Sequence, residues 1–265
     1  MKRLLLFFII IISIGSVIAG KFYWDKKISS ASAEAKGTAY QETVKADPIK
    51  SESSSDIPAA VKNLPAETAS MLLKAEKEKK KVKMLIFGSD TSEEGAHSWP
   101  AMLKSDLEKT YSKDLMDVNI AVFKNKTTKD ILQEDIAEKL SLEKPDILLI
   151  EPFILKDNGI VGITNTLKNV DSILKIFKKE NPGVKIFIQP SHPVYKARYY
   201  PKEAEKLEQF AKDNGYVYLN HWKSWPDDQS DDILTYVNKS DNTLSEKGEK
   251  LWETYLSSYF TGKNN

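Results

Sequence analysis

The sequence predicts an α/β domain built on a parallel five-stranded sheet, preceded by an N-terminal membrane segment and a flexible spacer. Three observations lead to this prediction. From about residue 82 onward, short apolar runs alternate with amphipathic segments. Residues 4–19 form an unbroken apolar run behind Lys2 and Arg3. Residues 28–60 contain few large apolar side chains, so they are not expected to form a core.

The first 27 residues are interpreted as a targeting segment. Sixteen helical residues from 4 to 19 span about 24 Å, which is short for a hydrocarbon core of roughly 30 Å. The aromatic residues at 22–24 extend the run as an interfacial belt. Residues 4–24 are therefore predicted to anchor the chain in the cell membrane as a single pass, with the domain outside the cytoplasm. The alternative is a signal peptide with Val17 and Ala19 before the cut, which would make the protein secreted.

The composition excludes several classes of function. Lys and Arg number 39 against 38 Asp and Glu, and this balance argues against a nucleic-acid-binding surface. The chain has no cysteine, which excludes disulfides, thiolate metal sites and a lipidated cysteine anchor. Neither a metal nor a cofactor is predicted. Residues 28–60 are rich in Ser, Ala, Lys, Glu and Thr and are predicted to be a flexible spacer.

The α/β domain is predicted to span residues 61–265. Each predicted strand is a short apolar run, and the strands cover 83–87, 118–123, 146–150, 184–188 and 216–219. Each predicted helix has an apolar face, and the helices cover 65–81, 99–111, 127–140, 166–179, 201–214 and 245–259. Apolar strands between amphipathic helices indicate a parallel sheet that is covered on both faces. Right-handed crossovers then favour a doubly wound, flavodoxin-like sheet.

Ligands bind beyond the carboxyl ends of the strands in such a sheet, so the loops there hold the candidate functional residues. In those loops the candidates are Ser89, Asp90, Ser92, Asn125, Thr127, Glu151, Asn158, His192, His221, Trp222 and Trp225. Several of them also have a structural explanation. Thr127 is placed to cap the next helix, Glu151 also fits a plain turn, and the two tryptophans fit core packing as well as a sugar-binding surface.

The order of these segments resembles that of the SGNH/GDSL hydrolases. An apolar strand runs into Gly-Ser-Asp at 88–90, which is similar to the Gly-Asp-Ser block of that family. Asn-Lys-Thr at 125–127 and Leu-Ser-Glu-Lys-Gly at 244–248 resemble two further blocks. Glu-Pro-Phe at 151–153 and the His-Trp to Trp-Pro-Asp segment at 221–227 resemble a Gram-positive, membrane-anchored group of SGNH-like proteins. The resemblance implies an esterase, deacetylase or acyltransferase that acts on cell-envelope glycan or lipid.

The chain departs from the family pattern at the catalytic positions. The nucleophile position holds Asp90, and Ser89 stands where the family has Asp. Ser240 and Thr243 stand where the last block has Asp and His. Asn158 is the nearest match to the third-block Asn, several residues late. Because a serine is a poor nucleophile without an adjacent base, whether the domain is an active enzyme is left open.

Two arrangements would preserve catalysis. In the first, Ser89 or Ser92 is the nucleophile, and His192 or His221 is recruited as the base from a neighbouring loop. In the second, Asp90 acts as a base toward water. The alternative function is a catalytically degenerate domain that binds a glycan or a partner protein. A metal phosphoesterase is a third class, but no metal-ligand spacing supports it.

Overall fold

The computed structural model describes residues 56–89 and 95–263. The predicted membrane segment, most of the predicted spacer, Asp90 and Ser92 lie outside the described residues. In the described ranges, no helix combines the length and the apolar character needed to cross a bilayer.

The predicted five-stranded parallel sheet is confirmed. Its strands are β1 (Val82–Ser89), β2 (Met116–Phe123), β3 (Ile147–Ile150), β4 (Lys185–Ile188) and β5 (Val217–Tyr218). They lie in the order β2-β1-β3-β4-β5, and every neighbouring pair is parallel. This is the doubly wound order that the crossover rules favour. It places the carboxyl ends of β1, β3 and β4 side by side in the middle of the sheet.

Nine α-helices are found among the described residues. They are α1 (Ile57–Ala60), α2 (Ala66–Glu78), α3 (Trp99–Leu115), α4 (Thr128–Gln133), α5 (Ile136–Ser141), α6 (Ile154–Asp157), α7 (Ile163–Glu180), α8 (Tyr200–Asp213) and α9 (Glu246–Thr261). Two 3-10 helices, His221–Ser224 and Asp231–Thr235, lie between β5 and α9.

The helices differ from the sequence prediction at three places. Residues 57–60, which were expected in the spacer, form α1, and Ile57 is fully buried in the core. The single helix expected over 127–140 is broken into α4 and α5, because Asp135 adopts a left-handed conformation with φ of 55°. Residues 154–157 were expected in a loop and form α6.

The core lies on both faces of the sheet because side chains alternate along each strand. Met84 and Ile86 of β1 belong to the cluster that also contains residues of α1, α2, α3 and α9. Leu85 and Phe87 of the same strand belong to the cluster formed with α4, α5, α6, α7 and α8. Both layers hold the strands rigidly, so the loops at the carboxyl edge start from fixed positions.

Candidate functional site

A pocket of about 300 Å³ lies at the carboxyl edge of the sheet. Its walls come from the segments that follow β2, β3 and β4 and from the start of α9. The polar residues in these walls are Lys124, Lys156, His192, Asp241, Asn242, Thr243 and Glu249. Loops after different strands therefore converge on one cavity, as the doubly wound topology predicts.

At the same edge of the sheet, Ser89 and Glu151 form a buried pair at the ends of the adjacent strands β1 and β3. The Ser89 hydroxyl donates a hydrogen bond of 2.7 Å to Glu151 Oε2. The backbone N–H of Ser89 donates to the same oxygen at 2.9 Å. Both residues are almost completely buried. The expected pairing of Ser89 with a histidine is not what the described residues show, because its hydroxyl is turned toward this carboxylate.

Tyr200, the first residue of α8, lies close to the same carboxylate. Burial raises the pKa of Tyr200 well above its ordinary value of 10.0, and the negative charge of Glu151 raises it further. The phenol is therefore neutral and keeps its O–H as a hydrogen-bond donor. The side chain is buried and its ring packs against Trp222 with centroids 5.5 Å apart.

His221 occupies a structural position in the core. Its Nε2–H donates to the carbonyl oxygen of Pro190 at 3.1 Å, and its Nδ1 accepts from Trp225 Nε1 at 3.0 Å. The ring stacks on Trp252 with a centroid distance of 4.3 Å. Burial lowers the pKa of His221 to about 3, so the ring is neutral at neutral pH. Since both nitrogens are engaged, this geometry favours packing over the base role considered from the sequence.

His192 lies in the pocket wall and is engaged through one nitrogen only. Its Nε2–H donates to the carbonyl oxygen of Asn242 at 2.7 Å. Its Nδ1 is buried and has no hydrogen-bond partner among the described residues. Burial lowers the pKa of His192 to about 4, and the charge of Lys156 contributes in the same direction. At neutral pH the ring is therefore neutral and Nδ1 is a hydrogen-bond acceptor.

The two candidate tryptophans are held by hydrogen bonds from their indole N–H groups. Trp222 Nε1 donates to the carbonyl oxygen of Ser191 at 2.7 Å. Trp225 donates to His221 and is buried against Tyr236. Neither indole lines the pocket at the carboxyl edge. The packing explanation, which the sequence left open, accounts for both side chains.

Thr127 and Asn125 shape the turn after β2. Thr127 forms a capping box with Asp130 at the start of α4, as the capping interpretation predicted. Asn125 has φ of 54°, a left-handed conformation that Asn tolerates better than most residues. The resemblance places a family glycine at this position, so the Asn keeps the same backbone conformation.

Asn158 and Thr243 are separated in the structure. The Asn158 amide donates to Glu203 Oε2 at 2.7 Å, and Asn158 does not line the pocket. Thr243 lines the pocket, and its hydroxyl donates to Asp241 Oδ1 at 2.8 Å. Thr243 and His192 therefore line one pocket, which Asn158 does not.

Sequence reasoning missed Glu249 and Gln189. Glu249 lines the pocket, and its Oε2 accepts a 2.7 Å hydrogen bond from the backbone N–H of Trp99, at the first residue of α3. Gln189 follows β4, is fully buried and accepts from Trp252 Nε1 at 2.9 Å. The available signal for Glu249 was its spacing, since it lies three residues before Trp252 and so falls within the buried stripe of α9.

Metal chemistry finds no support in this arrangement. Within residues 56–89 and 95–263, no three His, Cys, Asp or Glu side chains cluster in a way that could hold a metal ion.

Solved structures of known proteins share this fold. No protein-family model matches the chain, and no curated protein matches it in sequence. A protein named as a lipolytic protein of the G-D-S-L family from Desulfitobacterium hafniense matches with a TM-score of 0.53 and 19% identity, covering 68% of this chain and 99% of that one. A GDSL-like lipase from Parabacteroides merdae matches with a TM-score of 0.56 and 9% identity, covering 69% and 97%. A carbohydrate esterase of family 3 from Talaromyces cellulolyticus matches with a TM-score of 0.52 and 12% identity, covering 66% and 94%. The described domain therefore has an SGNH hydrolase-like fold, similar in structure to GDSL lipases and esterases.

Proposed function

We propose that this chain is an exported ester hydrolase that removes small acyl groups from cell-envelope glycan or lipid, with acyl transfer as the related reaction. The observation that carries the proposal is the hydrogen bond of 2.7 Å from the Ser89 hydroxyl to Glu151. A hydroxyl that donates to a buried carboxylate has a base within proton-transfer distance. The likeness of the fold to lipases and carbohydrate esterases supports the same reaction class.

The proposed reaction uses Ser89 as the nucleophile and Glu151 as the general base. Ser89 Oγ attacks the acyl carbonyl carbon while Glu151 takes the hydroxyl proton. The C–O bond of the ester then breaks, the proton on Glu151 passes to the leaving alkoxide, and an acyl-serine remains. Water attacks this acyl group with Glu151 again accepting a proton, which releases the carboxylic acid and restores Ser89.

Gln189 is the candidate donor for the developing oxyanion. Its Nε2 is buried and has no hydrogen-bond partner among the described residues. Gln189 follows Ile188 of β4, which pairs with Ile150 of β3, so it lies beside Glu151 at the end of the sheet. An N–H group held there without another acceptor is suited to stabilise negative charge on the substrate oxygen.

Location and substrate rest on the N-terminal segment. Residues 4–24 are proposed to anchor the chain in the cell membrane, and residues 28–55 to hold the domain outside the cytoplasm. Esters carried by envelope polysaccharide or lipid are the acyl compounds that such a domain would meet. Fractionation with protease accessibility of the domain in intact cells tests this placement, and a cytoplasmic, protease-protected domain would contradict it.

The catalytic proposal is tested by two substitutions in the full chain, Ser89→Ala and Glu151→Gln, assayed for hydrolysis of p-nitrophenyl acetate and for acetate release from acetylated xylan. Both are expected to lower kcat/KM by about 10²–10⁴-fold, since each removes one half of the nucleophile–base pair. Ser141→Ala is the matched control, because Ser141 is an equally buried serine on α5 whose hydroxyl donates to the Glu138 carbonyl. Unchanged turnover in Ser89→Ala would refute the mechanism.

The second candidate is a glycan-binding domain that has lost catalysis. It is favoured by the histidines, since neither His192 nor His221 donates to or accepts from a serine hydroxyl among the described residues. Under this function, wild-type protein shows no turnover above the blank. The double substitution Asp90→Ser with Thr243→His then separates the two candidate functions. It restores two residues of the family pattern, so activity that appears only in the double variant would identify a degenerate hydrolase.

A further inference from the structure

We infer that His192 selects the ligand of the pocket by accepting a hydrogen bond through Nδ1 from a hydroxyl or amide N–H of a bound sugar unit. This inference deepens the proposed function and rests on it for the location of the site. It assigns to His192 a positioning role, distinct from the base role that the sequence left open.

The hydrogen bonds of His192 fix which nitrogen carries the proton. A carbonyl oxygen can only accept, so the 2.7 Å contact with the Asn242 carbonyl requires a proton on Nε2. Burial lowers the pKa of the ring to about 4, so the second nitrogen carries no proton at neutral pH. Nδ1 is therefore held as an acceptor, and its partner has to be a donor.

The described residues supply no hydrogen-bond donor for Nδ1 of His192. Nδ1 of His192 has no hydrogen-bond partner in residues 56–89 and 95–263, although the side chain is only 2% exposed. Buried polar groups are normally satisfied because an unmet one destabilises the folded state. His192 also lines the pocket of about 300 Å³, and a donor on a bound molecule that displaces the groups now covering Nδ1 would satisfy it.

The rest of the pocket fits a neutral polyhydroxylated ligand. Lys124 and Lys156 supply donors, while Asp241 and Glu249 supply carboxylate acceptors, so the charged groups of the walls balance. A sugar carries hydroxyls that donate and accept in every direction, which matches such a mixed lining. The volume is at the lower end of the range for small-molecule sites, which favours a single sugar unit in the cavity.

Two substitutions of His192 each remove the hydrogen-bonding function of one ring nitrogen and keep that of the other. In His192→Gln, the amide N–H₂ stands near Nε2 and keeps the donor to the Asn242 carbonyl, but the Nδ1 acceptor is gone. In His192→Asn, the amide oxygen stands near Nδ1 and keeps the acceptor, but the donor to Asn242 is gone. A purely structural role for His192 predicts that the Gln variant behaves like the parent protein.

Binding is measured by calorimetry on the full chain carrying Ser89→Ala, which prevents turnover, with partially O-acetylated xylo-oligosaccharide as the probe. The fully O-acetylated form, which has no hydroxyl donor, is the control ligand. We expect the Ser89→Ala parent and its His192→Asn derivative to bind the partially acetylated probe, and His192→Gln to bind it at least about tenfold more weakly. The fully acetylated ligand is expected to bind weakly to all three. Thermal unfolding of each variant separates loss of binding from loss of folding.

Three results would overturn the inference. These are equal affinity of the folded His192→Gln variant and the parent, equal affinity of the parent for both ligands, and no binding of the partially acetylated probe at millimolar concentration. Because aryl acetate hydrolysis is measured separately, the proposed hydrolase activity can stand when this inference fails. Conversely, binding without any hydrolysis would retain the inference and remove the hydrolase proposal.

Discussion

Asp157 is predicted to be a main determinant of the stability of the helices that follow β2 and β3. It is 1% exposed and accepts hydrogen bonds from the Thr128 N–H at 2.9 Å, from the Thr128 hydroxyl and from the Thr166 hydroxyl at 2.7 Å. It thereby joins α4, α6 and α7. In Asp157→Ala the Thr128 N–H loses its only described acceptor, whereas the Thr166 hydroxyl can still donate to the Gly162 carbonyl at 3.3 Å.

The expected loss follows from these contacts. The backbone N–H and the hydroxyl of Thr128 lose their acceptor, and the hydroxyl of Thr166 keeps only a weaker one. At about 1 kcal/mol for each of the three groups, the low end of the range for an unmet buried group, the destabilisation is about 3 kcal/mol. For a domain of roughly 200 residues this lowers Tm by about 6–12 °C.

Differential scanning calorimetry of Asp157→Ala measures this shift. Asp171→Ala is the control, since Asp171 is a partly exposed carboxylate on α7 whose partner among the described residues is the exposed Lys175, and it is expected to shift Tm by about 2 °C or less. A Tm for Asp157→Ala within about 2 °C of wild type would show that the network does not stabilise the domain.

Two further predictions concern pH and packing. Burial raises the folded-state pKa of Asp157 above its ordinary value of 3.8. The stability that protonation of this carboxyl contributes is therefore fully present below 3.8 and is lost as pH rises through the folded pKa. Urea unfolding of wild type and Asp157→Asn is measured from about pH 3.5 to about pH 7. The free energy of unfolding of wild type should fall relative to that of the variant as pH rises. If the two free energies change with pH in the same way, the raised pKa of Asp157 is contradicted. Gly248→Ala in α9 should destabilise by about 1–3 kcal/mol, because its new Cβ would lie 2.2 Å from the Tyr236 carbonyl oxygen. Urea unfolding measures this loss against Gly95→Ala, whose Cβ meets nothing within 4 Å, and equal stability of both variants would refute the clash.

The sheet could be predicted from the sequence because its strands are buried on both faces. Runs such as 146–150 and 184–188 are too short for helices and contain one charged residue each among four apolar ones, and the structure places strands Ile147–Ile150 and Lys185–Ile188 there. The break at Asp135 could not be predicted, because a non-glycine residue in the left-handed region has no periodic signal. Helix α1 was missed because the apolar run at 57–61 is only five residues long and follows a polar stretch, so tertiary packing, and not periodicity, determines its burial.

The location of the candidate site was predictable, but the contacts within it were not. Topology alone places the loops after β1, β3 and β4 together, and the pocket lies at that edge. Which carboxylate or imidazole faces Ser89 depends on side-chain direction at the strand ends. The sequence offered His192 or His221, from neighbouring loops, as the base for Ser89, whereas the structure directs the Ser89 hydroxyl to Glu151. His221 illustrates the same limit, because its two ring partners come from a proline carbonyl and a tryptophan that no spacing rule connects.

The polar character of the sheet edge itself argues for function. Ser89, Glu151, Gln189, Ser191 and His192 are each at most 2% exposed, and each follows or ends a strand whose preceding residues are apolar. Burying a polar group stabilises the fold less than burying an apolar group of similar size, even when hydrogen bonds satisfy it. Of the five, His192 lines the pocket. The grouping of the others at the carboxyl ends of β1, β3 and β4 supports the proposed use of this edge of the sheet by a ligand or a reaction.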